Sequence, residues 1–442
     1  MGLTLVRRGN GPPKKNPKVA LVLAGGAVSG GAFKVGGLKA LDDFLVGRGV
    51  TDFDVYVGLS AGSLLAVPLA AGVGPEEMMG ALDGTSGRFE QLRPIDFYGP
   101  NWQEWFGRPA SLVADWVTYL PDVARDLVRS LPDLPNALAP ALLNVIRETN
   151  YRHFEELAMR LGEHVSPERR LPSLTDHLPS GLFDNALLER WLRKNLERIG
   201  MPNDFRAFTQ KRKRSLYLSA CNLDSAERVI FGADEDCSVT ISQAMQASTA
   251  LPGFYRPARI NGVDYVDGGV RNTANIDVAI DKGADLIICY NPFRPLSNSQ
   301  DFDSGDNLGY GAHLADRGLK AVMNQVFRTM LHSRLKLGMQ RYLTDDRFRG
   351  DIVLLEPQET DADFFAMNPI AFWNRAEAMR HGFESVHETL HKNFGELSDV
   401  LGRYGLQMSR SAARQKAEQL RVERWSQREA VQSDPSLRLV GS

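Results

Sequence analysis

Two short β-branched runs, each passing directly into a glycine-rich turn and then an apolar stretch, constrain this chain more than any other feature. KVALVL (18–23) runs into AGGAVSGGAF, and the spacing predicts a helix from about Gly30 to Val46. DVYVG (54–58) leads to a second apolar helix starting at Ser60. A repeated strand, tight turn and helix calls for parallel strands covered on both faces. SLYLSA (215–220), RVIF (228–231), DLIICY (285–290) and DIVLLE (351–356) add further strands. Helical patterns near 184–199 and 312–344 lie among them. The expected fold class is α/β: a largely parallel central sheet with helices on both faces.

The ends and one internal region depart from that pattern. Residues 1–17 are polar, basic and rich in Pro and Gly, and read as a flexible arm. The catalytic domain is expected over 18–395. From about 89 to 173 aromatic residues cluster (Trp102, Trp105, Phe106, Trp116, Tyr119), followed by Leu120, Val123, Leu127 and Leu131 at helical spacing. Ala137, Leu138, Ala141, Leu142, Val145 and Ile146 continue the pattern. This is a helical insertion with alternative readings: the wall or lid of an acyl pocket, a surface that touches a membrane, or a subdomain packing its own core. Asp122, Asp126 and Asp133 keep its polar face from being strongly cationic. After 396 the chain turns charged and is expected to form a helical C-terminal extension to 442.

Composition excludes several classes. A net charge of −2 over 442 residues gives no general attraction to nucleic acid. Cys221, Cys237 and Cys289 are too scattered for a disulfide framework or a metal site, which points to a reducing, cytoplasmic setting. The N-terminus lacks the apolar stretch of a signal peptide. The uncharged run Val55–Pro75 is long enough to cross a bilayer, but its glycines and Pro68 suit a buried strand, turn and helix. No transmembrane helix is expected.

Three motifs carry chemistry. Gly58-Leu59-Ser60-Ala61-Gly62 is a GxSxG placed where a strand ends and a helix begins, the setting of a nucleophile elbow. Its flanking glycines suit a tight turn with close neighbours. Gly25-Gly26-Ala27-Val28-Ser29-Gly30-Gly31 is a glycine-rich loop whose amides, backed by a helix start, can hold developing negative charge. A dinucleotide fingerprint is incomplete because Ala27 fills its second glycine position, and the P-loop Lys is missing. Nucleotide binding, plain turn geometry and an oxyanion hole stay open on the loop alone. Asp267-Gly268-Gly269 is either a hairpin turn or the base for Ser60, a carboxylate whose basicity desolvation would raise.

Taken in order, these motifs make the chain resemble the patatin-like phospholipases, serine lipid acyl hydrolases. GLFDNALLERWL (181–192), LYLSACNLDSAERVIFG (216–232), ASTALPGFYRPARINGVDYVDGG (247–269) and GADLIICYNP (283–292) support the resemblance. It covers about residues 18–292 and runs on more loosely to 392. It implies Ser60 as nucleophile, Asp267 as its partner in a Ser–Asp dyad, and Gly25, Gly26 and Ala27 as the oxyanion hole. Gly30, Gly58, Gly62, Gly268 and Gly269 support the motifs. The implied activity is hydrolysis of phospholipid or lysophospholipid esters through an acyl-enzyme, with no cofactor or metal. The implied partner is a lipid substrate; contact with a membrane, lipid-droplet or granule surface is a separate expectation that the amphipathic insertion raises. The chain departs from the family at the third loop glycine (Ala27), at the arginine that usually follows (Ser29), and at a proline that Asn275 replaces.

Two other readings accompany this one. A Ser–Asp–His esterase acting on small soluble esters would draw on His313 or His332. A non-catalytic lipid- or granule-surface protein would share the scaffold without the activity. Lys211-Arg212-Lys213-Arg214 reads as a solvated loop, with anionic headgroup contact as the sharper alternative.

Overall fold

A computed structural model of the chain describes residues 2–9, 15–111, 114–115, 117, 134–147, 153, 177–298 and 313–416. The described residues divide into two compact units, one formed by Met1–Gly99 with Phe183–Ser442, the other by Pro100–Leu182.

The larger unit is built on a nine-stranded sheet. Its strands are β1 (Leu3–Arg7), β2 (Val19–Leu23), β3 (Val55–Leu59), β4 (Ser215–Asn222), β5 (Arg228–Gly232), β6 (Ala258–Ile260), β7 (Val263–Asp267), β8 (Leu286–Tyr290) and β9 (Asp351–Leu355). The order is β1-β9-β8-β2-β3-β4-β7-β6, with β5 also pairing β4. Strands β9, β8, β2, β3 and β4 are mutually parallel. Every residue of β2, β3, β8 and β9 is buried, as parallel strands covered on both faces require.

The antiparallel strands lie outside that block. β7 runs antiparallel to β4, so its last residue, Asp267, reaches the edge where β3 and β2 end. The flexible arm expected over 1–17 is corrected at Leu3–Arg7. There LTLVR pairs antiparallel with β9, and Leu3 and Val6 enter the core. Hydrogen bonding to an otherwise open edge orders it.

The helices that matter for the site are α1 (Ala27–Phe44), α2 (Ala61–Ala70), α3 (Ile241–Thr249), α4 (Gly318–Thr344) and α5 (Arg375–Lys392). α1 starts three residues before the expected Gly30. It is apolar on nearly every side and crosses α5 where Gly36 and Gly382 let the backbones touch.

Other expectations shift at their edges. Phe89, Leu92 and Phe97 pack in the main core, so the insertion's start moves from 89 to Pro100. In that smaller unit residues 102–111 are helical, as is Leu134–Arg147. Trp102 stacks on Phe106 at 5.9 Å, and Glu104 accepts from the Ser180 amide at 2.6 Å. Trp116, Tyr119 through Leu131, and Asp133 lie outside the described residues. At the C-terminus Phe394–Gly402 is helical, and Leu397, Val400, Leu401 and Ala413 belong to the core. Residues 417–442 of the expected extension lie outside the described residues.

The basic run at 211–214 is no solvated loop. Lys211 and Arg212 end a helix, Arg212 donates to the Ala70 carbonyl at 2.9 Å, and Arg214 lies 3.5 Å from Asp54. No helix among the described residues is long and apolar enough to cross a membrane.

Candidate active site

The sheet register brings the distant motifs together. Leu59 on β3 pairs with Ser219 on β4, and the next β4 residue, Ala220, pairs with Asp267 on β7. Ser60 follows Leu59 directly. The serine and the aspartate, more than two hundred residues apart, thus come to opposite sides of a single strand at Ser219–Ala220. Ser60 lies close enough to Asp267 to pull its carboxyl pKa down.

Ser60 holds a backbone conformation that L-residues avoid, with φ 54° and ψ −129°. Such strain is worth about 1–3 kcal/mol and persists only where neighbours enforce it. Its amide donates to Ser248 Oγ on α3 at 2.9 Å, and its carbonyl accepts from the Ser63 amide at 2.8 Å. The flanking glycines are required by close approach. A Cβ at Gly62 would strike the Leu23 and Ala24 carbonyls, and one at Gly58 would strike Ser63 and Ala66. These contacts press α2 against the end of β2, which brings Ser60 beside the glycine-rich loop.

That loop starts where β2 ends. Gly25 lies against Ser60, since a Cβ there would come within 3.3 Å of the Ser60 Cβ. Gly26 has φ 153° and Ala27 φ 51°, both positive. Gly30 closes the turn by donating to the Gly26 carbonyl at 2.9 Å. Among the described residues, the amides of Gly25, Gly26 and Ala27 donate to no protein acceptor. Three consecutive unpaired amides beside a serine can bind an anion.

Asp267 does not open a hairpin. It ends β7, and its carboxylate accepts from the Gly269 amide at 2.8 Å at the start of a 3-10 turn over Gly268–Val270. Gly268 fits against Leu59 and Ser219, where a side chain has no room. Burial pushes the Asp267 carboxyl up to about 6, while the Ser60 and Gly269 hydrogen bonds and the Lys34 charge pull it down. A carboxylate poised near neutrality is a better base than an exposed one.

Lys34 was not singled out by its sequence. It is fully buried on α1, and its ammonium donates to the carbonyls of Ala24 and of Gly25, the latter at 2.9 Å. Burial brings it down to about 7, against the pull of Asp267. It puts a cation behind the loop in a chain where Ser29 occupies the usual arginine position; Ser29 itself is buried, with its amide on the Pro369 carbonyl. The one available signal was a lysine inside the apolar string AFKVGGL.

Neither histidine of the triad reading joins the pair. His332 Nδ1 lies 3.1 Å from Glu356 Oε1, His313 is exposed, and no histidine among the described residues hydrogen-bonds the Asp267 side chain. Asn275, in place of the family's proline, directly precedes a short helix and accepts from Arg228 at 3.1 Å.

Ser60 opens onto an apolar cavity that is partly open to solvent. Ala27 and Ser60 form one side, and Val35, Leu65, Met78, Phe97, Leu188 and Trp191 line much of the rest. Arg375 is its one charged lining residue among the described residues.

The patatin-like phospholipase profile matches residues 21–280, which is more than half of the chain. This chain belongs to the patatin-like phospholipase family. Membership supports lipid-ester hydrolysis as its general chemistry. Solved structures similar to it include VipD from Legionella pneumophila, at 15% identity and a TM-score of 0.37, with 88% of this chain and 70% of VipD covered. ExoU from Pseudomonas aeruginosa, in complex with SpcU, is similar at 16% identity and a TM-score of 0.33, with 88% of this chain and 54% of that one covered. Human GIVD cytosolic phospholipase A2, in complex with methyl gamma-linolenyl fluorophosphonate, is similar at 11% identity and a TM-score of 0.33, with 88% and 59% covered. The chain thus spans little more than half the length of the last two.

Proposed function

We propose that this chain hydrolyses fatty-acyl esters of phospholipid or lysophospholipid with a Ser60–Asp267 dyad. The observation that carries the proposal is the sheet register that sets Ser60 beside a buried Asp267, next to three unpaired amides and an apolar cavity. Asp267 accepts the Ser60 proton as Oγ attacks the ester carbonyl. The amides of Gly25, Gly26 and Ala27 receive the oxyanion, each worth about 3 kcal/mol where such a donor is lost. The alcohol leaves as the lysolipid or glycerophosphodiester, taking the proton. Water activated by Asp267 then releases the fatty acid from Ser60. The cavity accommodates the acyl chain.

The test is hydrolysis of a lipid panel by wild type, Ser60→Ala and Asp267→Asn, with fluorophosphonate labelling in parallel. Both variants are expected to lose at least about a thousandfold in kcat, and Ser60→Ala to take no label. Wild-type turnover by either variant rejects the dyad. A wild type that neither hydrolyses nor labels supports a surface-binding protein on the same scaffold.

A further inference from the structure

Helix α4 is the longest described helix, and one face of it is unusual. Leu319, Met323, Val326, Met330 and Leu337 fall within an arc of about 60° at 100° per residue, with Phe327 beside them. All six are exposed, Leu319 at 77%, Phe327 at 55% and Leu337 at 64%. The opposite face is packed: Arg328, His332, Leu335 and Met339 are buried.

The charge on α4 has one sign. From Gly318 to Thr344 it carries Lys320, Arg328, Arg334, Lys336 and Arg341 and no Asp or Glu. Arg328 is buried, and the other four are exposed. The acids just beyond its C-terminal end include Asp345, which pairs with Arg347 at 2.7 Å. A bare apolar stripe with cations along and beside it is what an interfacial helix presents to anionic lipid. Long cationic side chains can lay their stems on the apolar boundary while their heads stay in the headgroup layer.

Hydrogen bonds from both faces of α4 tie this stripe to the loops around Ser60 and Asp267. Arg334 donates to the Val270 carbonyl at 3.0 Å, three residues past Asp267. Thr273 Oγ1 donates to the Leu331 carbonyl at 2.8 Å. Arg328 donates to the carbonyls of Pro292 and Arg294, both at 3.1 Å. Pro292 and Phe293 in turn abut Gly26 and Gly25.

We propose that the exposed face of α4 is a docking surface for an anionic lipid membrane, seating the sheet edge that bears Ser60 and Asp267 against the lipid. A second copy of this chain is a poorer occupant, because a two-fold contact would set the same four cations against each other. The role of this surface as a substrate-delivery face rests on the lipid-hydrolase reading; the binding itself does not.

The experiment uses the full chain carrying Ser60→Ala, so that vesicles stay intact, in co-sedimentation with phosphatidylcholine vesicles and with vesicles containing about three parts in ten phosphatidylserine. Binding to the anionic vesicles is expected to be at least about tenfold stronger, and to weaken between about 0.1 and 0.5 M salt. Phe327→Asp with Met330→Asp is expected to lower it by at least about tenfold at an unchanged melting temperature. Should that double variant fail to fold, Leu319→Asp, in the exposed first turn, replaces it with the same expected direction. Equal or absent binding to the two vesicle types, or no effect of the folded variants, overturns the proposal. So does a wild-type dimer that these variants split while vesicle binding survives, since the stripe then serves a second copy. Vesicle binding without hydrolysis of any dispersed ester by wild type overturns the enzymatic reading alone.

Discussion

Replacing Lys34 with methionine removes a buried charge at nearly constant volume, and the structure sets what should follow. Lys34 donates to the Ala24 and Gly25 carbonyls behind the loop whose amides stand unpaired beside Ser60. Without those bonds the loop loses its anchor. Misplacing one oxyanion donor costs about 3–4 kcal/mol, so kcat is expected to fall about 10²–10³-fold. KM should change little, because Lys34 does not line the cavity. The Lys34 charge also holds the Asp267 carboxyl down, so its loss raises the carboxyl further above about 6. On the proposed dyad Asp267 works as the carboxylate, so the acid limb of the kcat/KM profile is expected to move to higher pH.

Stability is expected to move far less than rate. Each unpaired buried carbonyl costs about 1–3 kcal/mol. Against that, the variant no longer holds an ammonium whose pKa burial has lowered from 10.5 to about 7. A shift of that size corresponds to about 5 kcal/mol, present in full below the folded pKa and fading as pH rises toward the unfolded one. The two effects nearly offset each other at neutral pH. Lys34→Gln, which still donates but carries no charge, should recover part of kcat and leave the acid limb displaced. The assay is a pH series of kcat and KM on a dispersed ester, with thermal melts alongside. A Lys34→Met enzyme within twofold of wild type, with its acid limb in place, would show that Lys34 only fills space.

The other predictions concern strain and titration. Ala27→Gly relieves a positive φ of 51° and is expected to raise stability by about 0.5–1 kcal/mol, read from the denaturant midpoint; a loss of stability contradicts the strain argument. Asp267 has a folded pKa of about 6 against 3.8, so the folded state binds the proton more tightly and stability falls as pH rises between those values. Asp267→Asn should therefore gain up to about 3 kcal/mol at pH 8 and only about 0.5 kcal/mol at pH 4. Equal melting shifts at both pH values count against it.

Much of this organisation was legible in the sequence because it is written locally. KVALVL and DVYVG each end within a residue of the strands they predict, since β-branched runs bounded by glycine leave little choice. Ser60, the glycine-rich loop and Asp267 were visible as three ordered motifs. Their juxtaposition follows from the β3–β4–β7 register, which no single segment encodes. What escaped depends on distant partners. LTLVR sits in a stretch that is otherwise basic and rich in Pro and Gly, and only β9 makes it a strand. Lys34 looks like an ordinary helix cation until α1 is buried on all sides. The exposed stripe of α4 could not be told from its packed side, because both carry large apolar residues.

The pairing of β1 with β9 has a consequence for how the molecule is made. Leu3 meets Leu355, so this ribbon must wait, during synthesis, for a partner about 350 positions behind it on the ribosome. Until then β9's place is empty, β8 presents a naked rim, and the growing chain carries two complementary sticky borders. The final seam of the sheet is thus sewn by its earliest thread, and any nascent chain that stalls before residue 351 is left with an open border ready to pair with a neighbour's.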